Sequence, residues 1–315
     1  MKEGVSLLLK GAAMGAANVI PGVSGGTVAF VTGIYERLIH AVKSIDIEAL
    51  RLILKGQFRE FARKTDLVFL LWLGAGIVIS ILTLASVLKY LFERHEILVW
   101  AFFFGLILSS VYFVGKKVSR WSIGTVLAFL FGAGIAVGVA LLKPASENDS
   151  IPYLMLCGVI AMASMIIPGL SGSFVLLLLG NYELVMLDSV AGLKTLDGEA
   201  FRILIPVGIG AVIGLVLLSR LLAWIFDTYH DHAVALLTGF VAGSLLIIWP
   251  WKKEKTKVFE AGGETKEKVI GYDWYLPDLS SGTWIALAVM ATGFLVVWVM
   301  EKSSAEKPEK NSANS

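Results

Sequence analysis

The chain has 315 residues, 57% of them hydrophobic and only 17% charged, and its mean hydropathy of +0.78 lies outside the range of soluble domains. Charges cluster between long apolar runs, which points to an integral membrane protein and excludes a coiled coil, a disordered chain and an ordinary soluble enzyme. A formal net charge of +2 gives no reason to expect a nucleic-acid partner, and the single cysteine, Cys157, excludes an intrachain disulfide or a multi-cysteine metal site.

Lys10 interrupts the first apolar run and a Pro/Gly motif follows where a cleavage site would lie, so the N-terminus reads as retained from Met1. That first region, about 5–43, is cut at Pro21-Gly22 and Ser24-Gly25. Each half is too short for the roughly 20 residues that a crossing takes. Non-helical backbone at membrane depth is tolerated where protein or a watery cavity covers it, so the region reads as a re-entrant hairpin. Residues 45–64 follow as one helix in the headgroup layer, with Ile47, Leu50, Leu54, Phe58 and Phe61 on one face and Arg51, Lys55, Arg59 and Arg63 on a neighbouring stripe. Spanning helices are predicted at about 67–91, 97–115 and 122–142. A second broken region, about 152–187, is cut at Pro168-Gly169 and Ser171-Gly172, and three more spans are predicted at about 203–226, 233–250 and 283–300. The polar tail, 302–315, reads as disordered.

The two breaks copy one another. A shift of 147 residues lays Ile20, Pro21, Gly22, Ser24, Gly25, Val28, Gly33, Tyr35 and Glu36 on Ile167, Pro168, Gly169, Ser171, Gly172, Val175, Gly180, Tyr182 and Glu183. Further on, a shift of 134 pairs Gly74, Gly76, Ile79, Phe92, Gly105 and Ser110 with Gly208, Gly210, Ile213, Phe226, Gly239 and Ser244. The expected fold is therefore all-α: two repeats, 1–145 and 150–301, each a re-entrant hairpin plus three crossings. An odd number of crossings inverts the second repeat. Basic residues concentrate at 37–66 and 116–120, which places those segments and both termini in the cytoplasm. Lys252, Lys253, Lys255 and Lys257, on the loop 251–282, run against that bias. Four Gly-x3-Gly pairs, starting at Gly11, Gly134, Gly210 and Gly239, read as close-packing faces within the chain; nothing fixes an oligomeric state.

A helix starting just after Ser24 or Ser171 would point unpaired N–H groups and its positive dipole end into the break, an arrangement suited to phosphate. Gly25, Gly26 and Gly172 would admit an anion close to the backbone, while Ser24, Thr27, Ser171 and Ser173 offer hydroxyls. The competing reading is that small residues here only permit tight packing. Asn18 could bond the broken backbone or the ligand; its counterpart, Met165, could not. Arg37, Arg202 and Arg220 are candidates for bidentate phosphate contact or interfacial anchors. Glu36 and Glu183 are candidates for coupling to protons or sodium, or solvated helix ends. His95, His230 and His232 read as surface loop residues, and no metal or other cofactor is expected.

The doubled signature, Pro21-Gly22-Val23-Ser24-Gly25-Gly26 with Gly33-Ile34-Tyr35-Glu36 and its second copy, resembles the bacterial and archaeal polyprenyl-phosphate transporter family (PopT-type) over about residues 10–300. The resemblance implies a flippase in the cytoplasmic membrane that returns undecaprenyl phosphate from the outer to the inner leaflet. Its partners would be that lipid and the bilayer. A rival reading rests on Gly22-Val23-Ser24-Gly25-Gly26, which also fits the G-x-S-x-G pattern of serine hydrolases and intramembrane proteases. It requires a base beside Ser24, and the four histidines all map to membrane edges or loops.

Overall fold

The computed structural model describes residues 2–19, 24–189, 198–261, 264–278 and 280–305. The Pro21-Gly22-Val23 part of the first break, residues 190–197 and the tail from 306 onward lie outside the described residues. The chain is mostly helical. Helix α1 (Lys2–Val19) leads to the first break, from which α2 (Gly25–Val31) and α3 (Tyr35–Lys43) emerge. The expected headgroup helix is two helices, α4 (Ile47–Leu54) and α5 (Phe58–Lys64), because Gly56 turns the backbone at φ 70° between them. Asp46 caps α4: the Ala49 N–H, then the Lys64 ammonium, holds its carboxyl below the usual carboxylate range. That stabilisation is present above the ordinary carboxylate pKa and is lost as pH falls through the depressed value. Helix α5 meets the next helix at 72°, so if that helix crosses the membrane α5 lies close to its plane. Ile47, Leu50, Leu54 and Phe58 are exposed, as a lipid-facing surface requires.

Helix α6 (Leu67–Gly115) and the later α11 (Gly198–Ser244) are much longer than one crossing, at about 70 Å each if straight. Each is interrupted once by non-helical torsions, α6 at His95 (φ −140°, ψ 42°) and α11 at Tyr229 (φ −134°, ψ 51°). The rings of Phe92 and Trp100 would lie about 12 Å apart along a straight helix, yet their centroids are 5.2 Å apart. The predicted loops near 92–96 and 227–232 are therefore bends in continuous helix. Between the two long helices run α7 (Ile123–Leu141), α8 (Ile151–Ile166), α9 (Gly172–Leu178) and a π-helical stretch, α10 (Glu183–Ser189). The last described element is α12 (Ser281–Ala305). Four stretches are long and apolar enough to cross a membrane, Arg94–Gly115, Ile123–Leu141, Gly198–Ser244 and Ser281–Val299. A fifth is added if the bent pair Phe58–Lys64 and Leu67–Thr83 forms one span. The protein is thus a multi-pass membrane protein, with the spans predicted at 203–226 and 233–250 carried by one interrupted helix.

The all-α expectation needs one correction. The insert after α11 forms an antiparallel hairpin, β1 (Lys252–Ala261) with β2 (Glu264–Trp274), in which Lys252 faces Trp274 and Lys255 pairs with Asp273 at 2.7 Å. Lys252 is buried, its ammonium 3.6 Å from the centroid of the Trp100 ring and donating to the Ile247 carbonyl. A basic residue sheltered in this way no longer argues about sidedness.

The same contacts recur at fixed offsets. Bare backbone at Gly11 lies against Leu73 of α6, and 147 and 134 residues later Gly158 lies against Val207 of α11. Gly105 on the second arm of α6 meets Met290 of α12, and Gly239 on the second arm of α11 meets Phe129 of α7. At all four glycines a Cβ would overlap backbone carbonyl oxygen. The third helix of each half therefore packs on the long helix of the other, and the halves interlock. Gly15, Gly214 and Gly243 make similar close approaches within the chain, whereas Gly134 and Gly138 face open space and are not packed as expected. The main core joins α1, α2, α3, α6 and α11 around Phe30, Tyr35, Trp100, Phe226 and Phe240.

Candidate functional site

The described residues that follow the two breaks have matching backbones. Ser24 (φ −108°, ψ 133°) and Ser171 (φ −108°, ψ 129°) precede seven-residue helices, which end at Gly33 (φ 71°) and Gly180 (φ 77°). They also meet. Thr27, buried, accepts a hydrogen bond at 2.8 Å from the Gly169 N–H, and the Tyr35 hydroxyl donates at 2.9 Å to the Ile166 carbonyl. A Cβ on Gly26 would stand 3.0 Å from that same carbonyl oxygen. Gly26, Thr27 and Tyr35 are thus brought up to Ile166 and Gly169, where the second break begins.

The two tips differ chemically. At the first, Asn18 Oδ1 accepts from the Gly25 N–H at 2.8 Å, Ser24 Oγ accepts from the Gly26 N–H at 3.2 Å, and the Thr27 N–H bonds the Ser24 carbonyl. The donors expected to be free there are already engaged. At the second, Met165 stands where Asn18 does and cannot fill its role. Ser171 makes no capping bond; its hydroxyl lies 2.9 Å from that of Ser173, which is exposed. Among the described residues the Gly172 and Ser173 N–H groups have no hydrogen-bond acceptor. The open tip is the second.

Arg37 and Arg202 are engaged away from the tips. Arg37 is clamped at 2.8 Å by Glu3 and 2.6 Å by Asp66, over the Phe69 ring. Glu3 is 15 residues, about 22 Å of helix, from Asn18. Arg202 pairs with Glu199 at 3.2 Å and lies 4.0 Å from Asp149, beyond the start of α8. Arg220 is exposed on α11 without an ion pair among the described residues. Arg37 and Arg202 are placed as helix-end anchors.

Glu36 has a partner that hydropathy concealed: His230, just past the Tyr229 bend, lies with its Nε2 at 2.7 Å from the carboxylate. The same contact of α3 with α11 carries His40 and Lys43 at 3.5 and 3.7 Å from Asp227. His230 is exposed, as expected of a surface residue, but it is helical and paired with Glu36 rather than in a loop. Glu183 begins α10, and the position equivalent to His230, 134 residues earlier, is Glu96. Ser24 is buried and, among the described residues, makes no hydrogen bond with a histidine or lysine. Among the described residues no side chain stands as a base on the Ser24 hydroxyl.

With this geometry in hand, relationship can be read from sequence. A family model described as undecaprenyl phosphate translocase-like matches residues 14–266. The chain belongs to that family. It is similar to a polyprenyl-phosphate transporter of Vibrio cholerae, 38% identical over 260 residues that make up 82% of each chain. It is also similar to a polyprenyl-phosphate transporter of Staphylococcus aureus, 31% identical over 258 residues, 77% of this chain and 85% of the relative. No solved structure matches. The matched region includes both breaks and both bends, but neither α12 nor most of α1.

Proposed function

We propose that this protein carries polyprenyl phosphate across the bacterial or archaeal cytoplasmic membrane, returning undecaprenyl phosphate from the outer to the inner leaflet for envelope polymer synthesis. The observation that carries the reading is its likeness, over about four fifths of both chains, to the Vibrio cholerae polyprenyl-phosphate transporter. The mechanism proposed is alternating access between inverted repeats, 1–145 and 150–301, each a re-entrant hairpin and three crossings. The matched break torsions, the matched bends at His95 and Tyr229 and the exchanged third helices support it. The phosphate would bind at the breaks, first at Ser171, Gly172 and Ser173, where donors are free, while the polyprenyl chain stays in hydrocarbon. Asn18, Ser24, Gly25, Gly26 and Thr27 would contribute once the cap on α2 is released. Glu36 is the favoured coupling group. No chemical bond is broken, so the protein acts as a translocase and not as an enzyme of hydrolysis.

The test is a leaflet-resolved assay in proteoliposomes with a fluorescent polyprenyl phosphate. Protein-dependent translocation supports the reading; its absence, with hydrolysis of a membrane peptide instead, favours a serine hydrolase. The proposed topology places Lys55 in the cytoplasm and Ser146 outside. Single cysteines at these exposed positions are expected to react with an impermeant thiol reagent from opposite sides, over a low background because Cys157 is fully buried. Labelling of both from one side would refute the inverted arrangement.

A further inference from the structure

At the opposite end of α2 from the break lies a cavity of about 140 Å³, with Gly33, Glu36, Lys117 and His230 among its polar walls and Phe30 and Phe226 among its apolar ones. Two ammonium groups converge on its Thr32-Gly33 turn. Lys10 donates at 2.8 Å to the Thr32 carbonyl, and Lys117 Nζ would stand 3.6 Å from a Cβ on Gly33. They are near enough for the charge of Lys117 to act on Lys10. The carboxylates close by are already matched: Glu36 by His230, and Asp231 by the Ser119 and Arg120 N–H groups, with His230 Nδ1 at 3.7 Å. Neither lysine makes an ion pair among the described residues, so two like charges stand together without a counter-ion.

Closing the α2 turn does not require this arrangement. The same turn recurs at Gly180, 147 residues later, where Cys157 replaces Lys10 and, by the 134-residue offset, Trp251 replaces Lys117. The fold builds that end of α9 with no cation at either position. The charge is specific to one face of the protein, the face that the basic-residue bias assigns to the cytoplasm.

We infer that Lys10, Lys117 and His230 around Gly33 form a phosphate-monoester site that holds the lipid headgroup at the cytoplasmic side, separate from the breaks. A phosphate monoester carries about −1.5 to −2 charges near neutral pH, which complements the two unmatched ammonium groups. The apolar walls suit the first isoprene units. The inference rests on the transport reading for its ligand, but its test can fail independently.

The test measures binding of farnesyl phosphate, farnesol and inorganic phosphate to the full-length protein in nanodiscs, for the parent and for Lys117→Met, Lys117→Arg and Lys116→Met. Lys117 is chosen because Lys10 also caps α2. Losing one charge-assisted contact is expected to weaken farnesyl phosphate about tenfold or more in Lys117→Met. Lys117→Arg should stay within about threefold, as should Lys116→Met, whose ammonium lies over the Tyr112 ring. Retained binding in the arginine variant shows that the lysine is not needed merely for folding. Unchanged affinity in Lys117→Met, or farnesol binding as tightly as its phosphate, overturns the site. Binding of inorganic phosphate but not farnesyl phosphate, with the same sensitivity to Lys117→Met, overturns the lipid assignment in favour of the free ion. A parent that binds farnesyl phosphate through Lys117 yet moves no polyprenyl phosphate in proteoliposomes supports the site and sinks the transport reading.

Discussion

Replacing Gly172 with valine is expected to reduce translocation at least tenfold, a larger loss than any single hydroxyl deletion at the breaks should produce. A Cβ at this position would stand 2.5 Å from Met165 Cγ and 2.8 Å from the Ala161 carbonyl oxygen. The side chain of Met165 can swing aside, but the carbonyl is backbone, so α9 must move away from α8. The branched side chain would also cover the Gly172 and Ser173 N–H groups, the donors that stand free. Proteoliposome transport measures the effect, with thermal unfolding in detergent as the companion readout. Gly172→Ala combined with Met165→Ala separates packing from binding. The double variant removes only the flexible half of the clash, so the Ala161 carbonyl should leave most of the stability lost in Gly172→Ala in place. Full transport by Gly172→Val would mean that the breaks only pack helices. The first tip gives a different expectation: Asn18→Ala removes a cap, should lower stability by about 1 kcal/mol, and frees the Gly25 N–H for an anion.

Much of this architecture was readable from two numbers in the sequence. The 147-residue shift reappears as equal torsions at Ser24 and Ser171 and equal turns at Gly33 and Gly180. The 134-residue shift reappears as bends at His95 and Tyr229. Glycines carry this signal because close backbone approach leaves no room for another residue. The bends themselves were misread as loops, since Asp227, His230, Asp231 and His232 lower hydropathy whether or not the backbone stays helical. The β-hairpin was missed although Gly262-Gly263 between runs rich in Lys, Thr and Val is a turn signal. The asymmetry of the tips was half legible: Asn18 opposite Met165 marks a difference, and geometry decides that Asn18 closes its own tip. The role of Arg37 was not legible, because Glu3 and Asp66 reach it from two other elements. Lys10 had a signal that was passed over, an ammonium within an apolar run, where a charge is expensive to keep without a purpose.

The remaining expectation concerns the two motif glutamates, which occupy equivalent places but meet different chemistry. Glu36→Gln is expected to flatten the pH dependence of transport, and Glu183→Gln to leave its shape close to that of the parent. The ground is the ion pair of Glu36 with His230, which joins α3 to α11 just past the Tyr229 bend. A histidine–carboxylate pair holds best where the imidazole is protonated and the carboxylate ionised. Its strength therefore depends on the charge states of both partners. If the link between α3 and α11 must open and close in each cycle, its strength sets the balance between the two access states, and that balance follows pH. Glutamine at position 36 keeps a hydrogen bond but removes the charge, so the rate should change severalfold at one end of the range and little at the other. His230→Gln should produce the same flattened profile, since it removes the other partner. Glu183 cannot form the equivalent pair, because Glu96 stands where the duplication would put a histidine. Its carboxylate would be repelled there, and α10 contacts α11 instead. Transport should be followed from about pH 5.5 to 8.5 in proteoliposomes, with both leaflets at equal pH so that a proton gradient does not enter. Parallel profiles for the parent, Glu36→Gln and His230→Gln would reduce the pair to a structural tie and leave phosphate binding as the only chemistry that the breaks supply.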